Sequence, residues 1–186
     1  MRQKKNVILA DCEEEEIKTL VEGLEETSQE KVEILSYINN KGQGSAVKRL
    51  NRYMKLFTFP FSVFIHRKQY DVIYGWQQFY TLIYAFYCRL FNVKKTNKVI
   101  VLNFTYKDKS GVVGKLYRRF MEFIICSKYI DRLHVPSKDY AALTAKDFGI
   151  SLDKFLVTTF GIPDYYQSEY TEVPVNTVGG GYFELR

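Results

Sequence analysis

The chain has 186 residues, 46% of them hydrophobic and 16% aromatic, which is enough apolar surface for one substantial core and too much for a disordered tail. The net charge of +6 is unevenly spread: −4 over residues 1–47, +13 over 48–132 and −3 over 133–186. A basic centre between acidic ends asks for an anionic partner, with lipid headgroups, a phosphorylated acceptor and nucleic acid all open on charge alone.

Three cysteines, Cys12, Cys88 and Cys126, are far apart and fall in no CxxC or Cys/His cluster, so neither a disulfide framework nor a zinc site is expected. The thiols suit a reducing cytosol. Met1-Arg-Gln-Lys-Lys5 leads into an apolar run too short for a signal peptide.

Asn6–Ala10 reads as a short buried strand. A helix follows from Glu13 to Thr27, with Ile17, Leu20, Val21 and Leu24 on one face and glutamates crowding its start. Val32–Ile38 alternates as a second strand, and residues 39–45 are rich in turn formers. Residues 48–68 contain no acid. Lys48, Arg49, Arg52 and Lys55 lie at helical spacing, with Leu50, Met54, Phe57 and Phe61 on another face, the pattern of a basic amphipathic helix at a membrane surface or of a surface helix whose apolar side is core.

Asp71–Gly75 reads as a third strand and 77–93 as an aromatic helix. The uncharged run 72–88 is broken by Gly75, Gln77 and Gln78 and falls short of the roughly 20 residues needed to span a bilayer. Lys98–Asn103 is a fourth strand, Val113–Tyr129 a helix, Arg132–Val135 a fifth strand, Lys138–Phe148 a helix and Lys154–Thr159 a sixth strand. Strands alternating with helices predict βαβ units, a parallel sheet and functional groups at the carboxyl ends of its strands. His134 reads as a satisfied strand histidine and His66 as a surface residue. Gly42-Gln-Gly44 and Gly179-Gly-Gly181 match no phosphate-loop pattern.

One segment carries more information. Arg132-Leu-His-Val135 is stopped by Pro136, Ser137 is typed to cap a helix, Gly149 to end it, and Gly161-Ile-Pro163 to turn the chain away. This run, V-P-S, then F-G-I, then an acidic-Lys strand start, then G-I-P, resembles the end of the amino-terminal domain of family 4 glycosyltransferases. The likeness is dense over residues 131–164 and rests on element order alone over 6–130.

The resemblance implies half of a GT-B architecture, a Rossmann-like doubly wound, mainly parallel sheet of about six strands. Residues 1–164 would be the acceptor-side domain, and residues 165–186 the interdomain linker and truncated start of a donor-binding domain. It further implies a parent enzyme that moves a sugar from a nucleotide-sugar donor to a cell-envelope, polysaccharide or lipid-linked acceptor without a metal. The donor would be bound only with the missing carboxyl-terminal domain, so this chain alone is expected to be inactive, with no cofactor and no nucleic-acid partner. Its place would be the cytoplasm, with peripheral contact to the inner face of the plasma membrane.

Two departures accompany the likeness. Asp11-Cys12-Glu13 stands where relatives carry a Gly-Gly turn, and Asn103-Phe-Thr-Tyr-Lys-Asp108 lacks the relatives' histidine, so no catalytic residue is assigned. Cleft candidates at strand carboxyl ends are Asp11, Gly75, Trp76, Asn103, Thr105, Ser137 and Gly161, with Lys107 facing an acceptor phosphate. The alternatives are a non-enzymatic membrane-surface module of the same fold and a small nucleotide-binding enzyme complete in itself.

Overall fold

The structure, a computed structural model, describes residues 4–37 and 46–158, the side chains of 46–52 excepted. Six strands, β1 (Lys5–Ala10), β2 (Val32–Ser36), β3 (Tyr70–Gly75), β4 (Lys98–Val101), β5 (Arg132–Val135) and β6 (Phe155–Val157), form one sheet in the order β2-β1-β3-β4-β5-β6. Every neighbouring pair is parallel. The expected doubly wound α/β sheet of six strands is the architecture observed.

Among the described residues, five α-helices connect the strands: α1 (Glu14–Ser28), α2 (Ala46–Ile65), α3 (Gln78–Leu90), α4 (Gly111–Ile125) and α5 (Lys138–Phe148). Chain progress reverses once. After β2 the chain crosses back over β1 to lay down β3, and all later strands add in one direction. Right-handed crossovers therefore put α1 on one side of the sheet and α2 to α5 on the other.

The two cores reflect that division. On the α1 side, Ile8, Ala10 and Tyr74 meet Ile17, Val21 and Val32. On the other side, Val7, Leu9, Ile73, Val99, Val101, Leu133 and Val135 meet Val63 and Phe64 of α2, Leu82 and Ala85 of α3, Met121 and Ile124 of α4, and Phe148 of α5. Alternate residues of each strand feed opposite cores, as the pleat requires.

Helix boundaries follow local chemistry. Ser137 Oγ accepts from the Tyr140 amide at 3.1 Å, capping α5, and Gly149 takes φ +62° at its end, a left-handed position that glycine occupies without Cβ strain. Pro60 sits inside α2 and removes one donor, so the Leu56 carbonyl loses its helical partner. The uncharged run 72–88 resolves into β3 and buried α3, and no helix among the described residues is long and apolar enough to cross a membrane. Strand β2 ends at Ser36 rather than Ile38, and β4 at Val101 rather than Asn103. The latter stops early because Asn103 adopts φ +50° and bends the chain out of the ladder. Residues 38–45 and 159–186, Gly161 among them, lie outside the described residues, as do the side chains of Lys48, Arg49 and Arg52 expected at a membrane surface.

Candidate functional site

The strand order reverses between β1 and β3, and ligands of open α/β sheets bind at the carboxyl edge of such a reversal. After β3, the amides of Trp76 and Gln77 both donate to the Leu9 carbonyl, at 3.0 and 3.2 Å, so the β3 turn folds back over β1. Gln77 Nε2 then donates to Asp11 Oδ2 at 2.7 Å, while Gln77 Oε1 accepts from the Phe79 amide at 3.4 Å. One side chain thus ties the loop after β1 to the start of α3.

The next residue repeats the device one strand over. Gln78 Oε1 accepts from the Thr105 amide at 3.0 Å, and Gln78 Nε2 donates to Thr105 Oγ1 at 3.3 Å. Further along, the Asn103 amide donates to His134 Nδ1 at 3.2 Å. An accepting Nδ1 leaves the ring proton on Nε2, which meets the Thr158 hydroxyl. Burial holds His134 below its ordinary pKa, so the ring is neutral near pH 7. Tyr140 closes the row: its hydroxyl accepts from the Tyr106 amide at 2.5 Å and donates to the Tyr106 carbonyl at 3.2 Å.

The expected cleft residues therefore divide. Asp11, Trp76, Asn103, Thr105 and Ser137 lie along the carboxyl edge, in the segments that follow their strands. Asp11, Trp76, Asn103 and Ser137 are half-buried and Thr105 is exposed. Trp76 leans onto the α1-side core beside Cys12, whose thiol is pushed up first by burial and then by Glu16 and Asp11. Gly75 is buried beneath the edge rather than facing it. A Cβ there would lie 1.8 Å from Thr81 Oγ1, so the glycine serves the close approach of β3 to α3. Ser137 uses its oxygen as a helix cap. Lys107 is exposed on the loop before α4.

Gln77, Gln78 and Tyr140 organise the edge and are absent from the expected set. The cue was two consecutive amides at a strand-to-helix turn inside an uncharged run, where polar side chains need a partner.

Electrostatics limit what this edge can hold. Two helix termini flank the reversal: α1, whose first turn carries Glu14, Glu15 and Glu16, and α3, whose first turn carries no acid. Glu16 turns back to accept from the Glu13 amide at 3.1 Å. The α1 terminus is thus surrounded by the chain's own carboxylates, while the α3 terminus is uncharged and edged by Gln77 and Gln78. The remaining groups are amides, hydroxyls, one neutral imidazole and one carboxylate, donors and acceptors matched to hydroxyls. No cluster of three or more metal-ligating side chains occurs among the described residues.

A cleft of about 880 Å³ opens at the opposite end of the sheet, where Lys5 pairs with Glu33 at 2.8 Å and Lys4 with Asp71 at 3.4 Å. Lys4 and Lys5 are thus already paired, and the cleft lies away from the strand carboxyl ends. No protein-family model matches this chain, and no curated protein matches it.

Proposed function

We propose that this domain is the acceptor-side lobe of a GT-B sugar transferase, holding a hydroxyl-bearing acceptor at the carboxyl edge while the activated sugar is bound by another domain. The observation that carries the reading is the make-up of that edge. Asp11, Gln77, Gln78, Asn103, Thr105 and His134 offer hydrogen-bond donors and acceptors without a cationic cradle, beside a half-buried tryptophan whose flat face suits sugar C–H groups. The β5–α5–β6 unit adds support, because Ser137 and Gly149 perform the capping and terminating roles that the sequence likeness implies.

In this reading Asp11, the carboxylate that Gln77 holds at the strand reversal, is the residue to receive or orient an acceptor hydroxyl. Gln77 is a positioning residue that holds the Asp11 carboxylate. The leaving diphosphate would be stabilised by groups on the donor lobe. The reading disfavours a diphosphate at the α1 terminus, whose first turn is acidic.

Calorimetry of the purified chain tests this. Binding of neutral oligosaccharide or glycolipid headgroups is expected, weakened by Gln77→Ala and Asp11→Asn, with no binding of nucleotide diphosphates and no sugar release from nucleotide sugars. Tight nucleotide-sugar binding by this chain alone would overturn the assignment.

A further inference from the structure

Helix α2 is apolar on more than its buried side. Phe59, Pro60, Val63 and Phe64 face the core, yet Met54, Phe57, Phe61 and Ile65, at spacings of three and four, are 57%, 43%, 39% and 55% exposed. A helix apolar all round is normally covered all round, and here the sheet covers only half of it. The outer side of α4 repeats the pattern, with Val112, Leu116 and Phe123 exposed in a stripe around Arg119.

The two stripes belong to one surface. Phe61 of α2 packs edge-on against Tyr87 of α3 at 5.1 Å, Tyr87 against Phe86 at 5.7 Å, and Phe86 against Phe123 of α4 at 6.0 Å. Leu90 and Phe91, both more than half exposed, lie at the end of α3 between them. Arg89 lies over the Phe123 ring at 4.1 Å, placing a cation within the apolar surface.

Charge identifies the occupant. Helices α2, α3 and α4 together carry eight Lys and Arg and one acid, Glu122, a net of +7 that exceeds the +6 of the whole chain. Lys115 and Arg119 are exposed beside the α4 stripe, and Lys48, Arg49 and Arg52 belong to the first turns of α2, their side chains outside the described residues. With no acid on α2 or α3, this aromatic surface is complementary to an anionic, apolar plane. A protein partner would need the same combination of a flat apolar face and dense negative charge.

We infer that the α2–α3–α4 layer docks on an anionic lipid bilayer, with α2 and α4 as two parallel contact ridges. In parallel α/β units the helices run against the strands, so the basic amino-terminal halves of α2 and α4 lie at the carboxyl-edge end of the sheet. The docked layer thereby holds the candidate cleft beside the headgroups. The inference stands on the surface alone and survives failure of the sugar-transfer reading.

Vesicle sedimentation tests it, using phosphatidylcholine with and without a quarter of phosphatidylglycerol. The protein is expected to pellet with the anionic vesicles and to be released as salt rises toward 1 M. Lys115→Glu with Arg119→Glu should weaken binding about tenfold or more, since each headgroup-facing cation contributes about fivefold. Met54→Ser with Leu116→Ser should weaken it while leaving circular dichroism unchanged. Lys146→Glu on α5, outside the layer, should change it little.

Equal binding to neutral vesicles, no binding at all, or an equal loss from Lys146→Glu would overturn the inference. So would a stable dimer in vesicle-free buffer that Leu116→Ser dissociates, because the surface would then be an interface between copies of the chain.

Discussion

The two sides of this sheet are covered in opposite ways. On one side α1 lies over the strands around the reversal, with six glutamates and one lysine, and its apolar residues turn inward to Ile8 and Ala10. On the other, α2 to α4 carry eight bases and one acid and are apolar outside as well as inside. The α1 side follows the ordinary logic of a half-buried helix. The α2–α4 side has apolar surface that folding leaves in water, and that surplus points to a second environment.

The largest effects should come from the two cores. Ile17→Ala on the α1 side and Ile124→Ala on the α4 side, both at most 1% exposed, should each cost about 2–5 kcal/mol in urea unfolding. Leu116→Ser, 61% exposed on the same helix as Ile124, should stay within about 0.5 kcal/mol. A comparable loss at Leu116 would mean that the outer face of α4 belongs to the core, and the contrast between the sides would collapse.

Gly75→Ala comes next. It brings a Cβ to within 1.8 Å of Thr81 Oγ1, and separating β3 from α3 should cost about 1–3 kcal/mol. Ser137→Ala removes the acceptor for the Tyr140 amide and should cost about 1 kcal/mol, with Ser137→Asp retaining most of it.

The smallest expected effect is on pH dependence. Burial lowers the folded-state pKa of His134, so below its unfolded value of 6.5 the unfolded chain binds the extra proton first. Its stabilising contribution is fully present above pH 6.5 and is lost as pH falls from there toward the depressed folded value. Protonating Nδ1 would also set a donor against the Asn103 amide. Denaturation at pH 7.5 and 5.5 should show this loss in the native chain and a flatter response in His134→Gln.

Much of the fold was legible because it rests on local signals. Short apolar runs bounded by turn formers became strands, and the Pro136, Ser137 and Gly149 chemistry predicted β5 and α5 to the residue. The strand order was not legible, because crossing back over β1 after β2 depends on pairings such as Lys5 with Tyr70 and Leu9 with Gly75, far apart along the chain. Asn103 shows the limit at element ends: an apolar run predicted continued strand, while a left-handed residue ended it. At the site, parallel strands place Asp11, Trp76 and Thr105 on one edge by topology alone. Gln77 and Gln78 needed coordinates, since the Asp11 carboxylate that Gln77 meets lies 66 positions away. Whether the apolar stripe of α2 faced core or solvent was equally closed to periodicity, because both of its sides are apolar.

The lone tryptophan offers the most direct test, since Trp76 stands at the proposed cleft and packs against the α1-side core. Its emission should shift on titration with a neutral oligosaccharide acceptor, saturate, and lose that response in Asp11→Asn, while a nucleoside diphosphate leaves it unchanged. Emission that ignores every saccharide yet moves with the diphosphate would contradict an acceptor cleft at this edge.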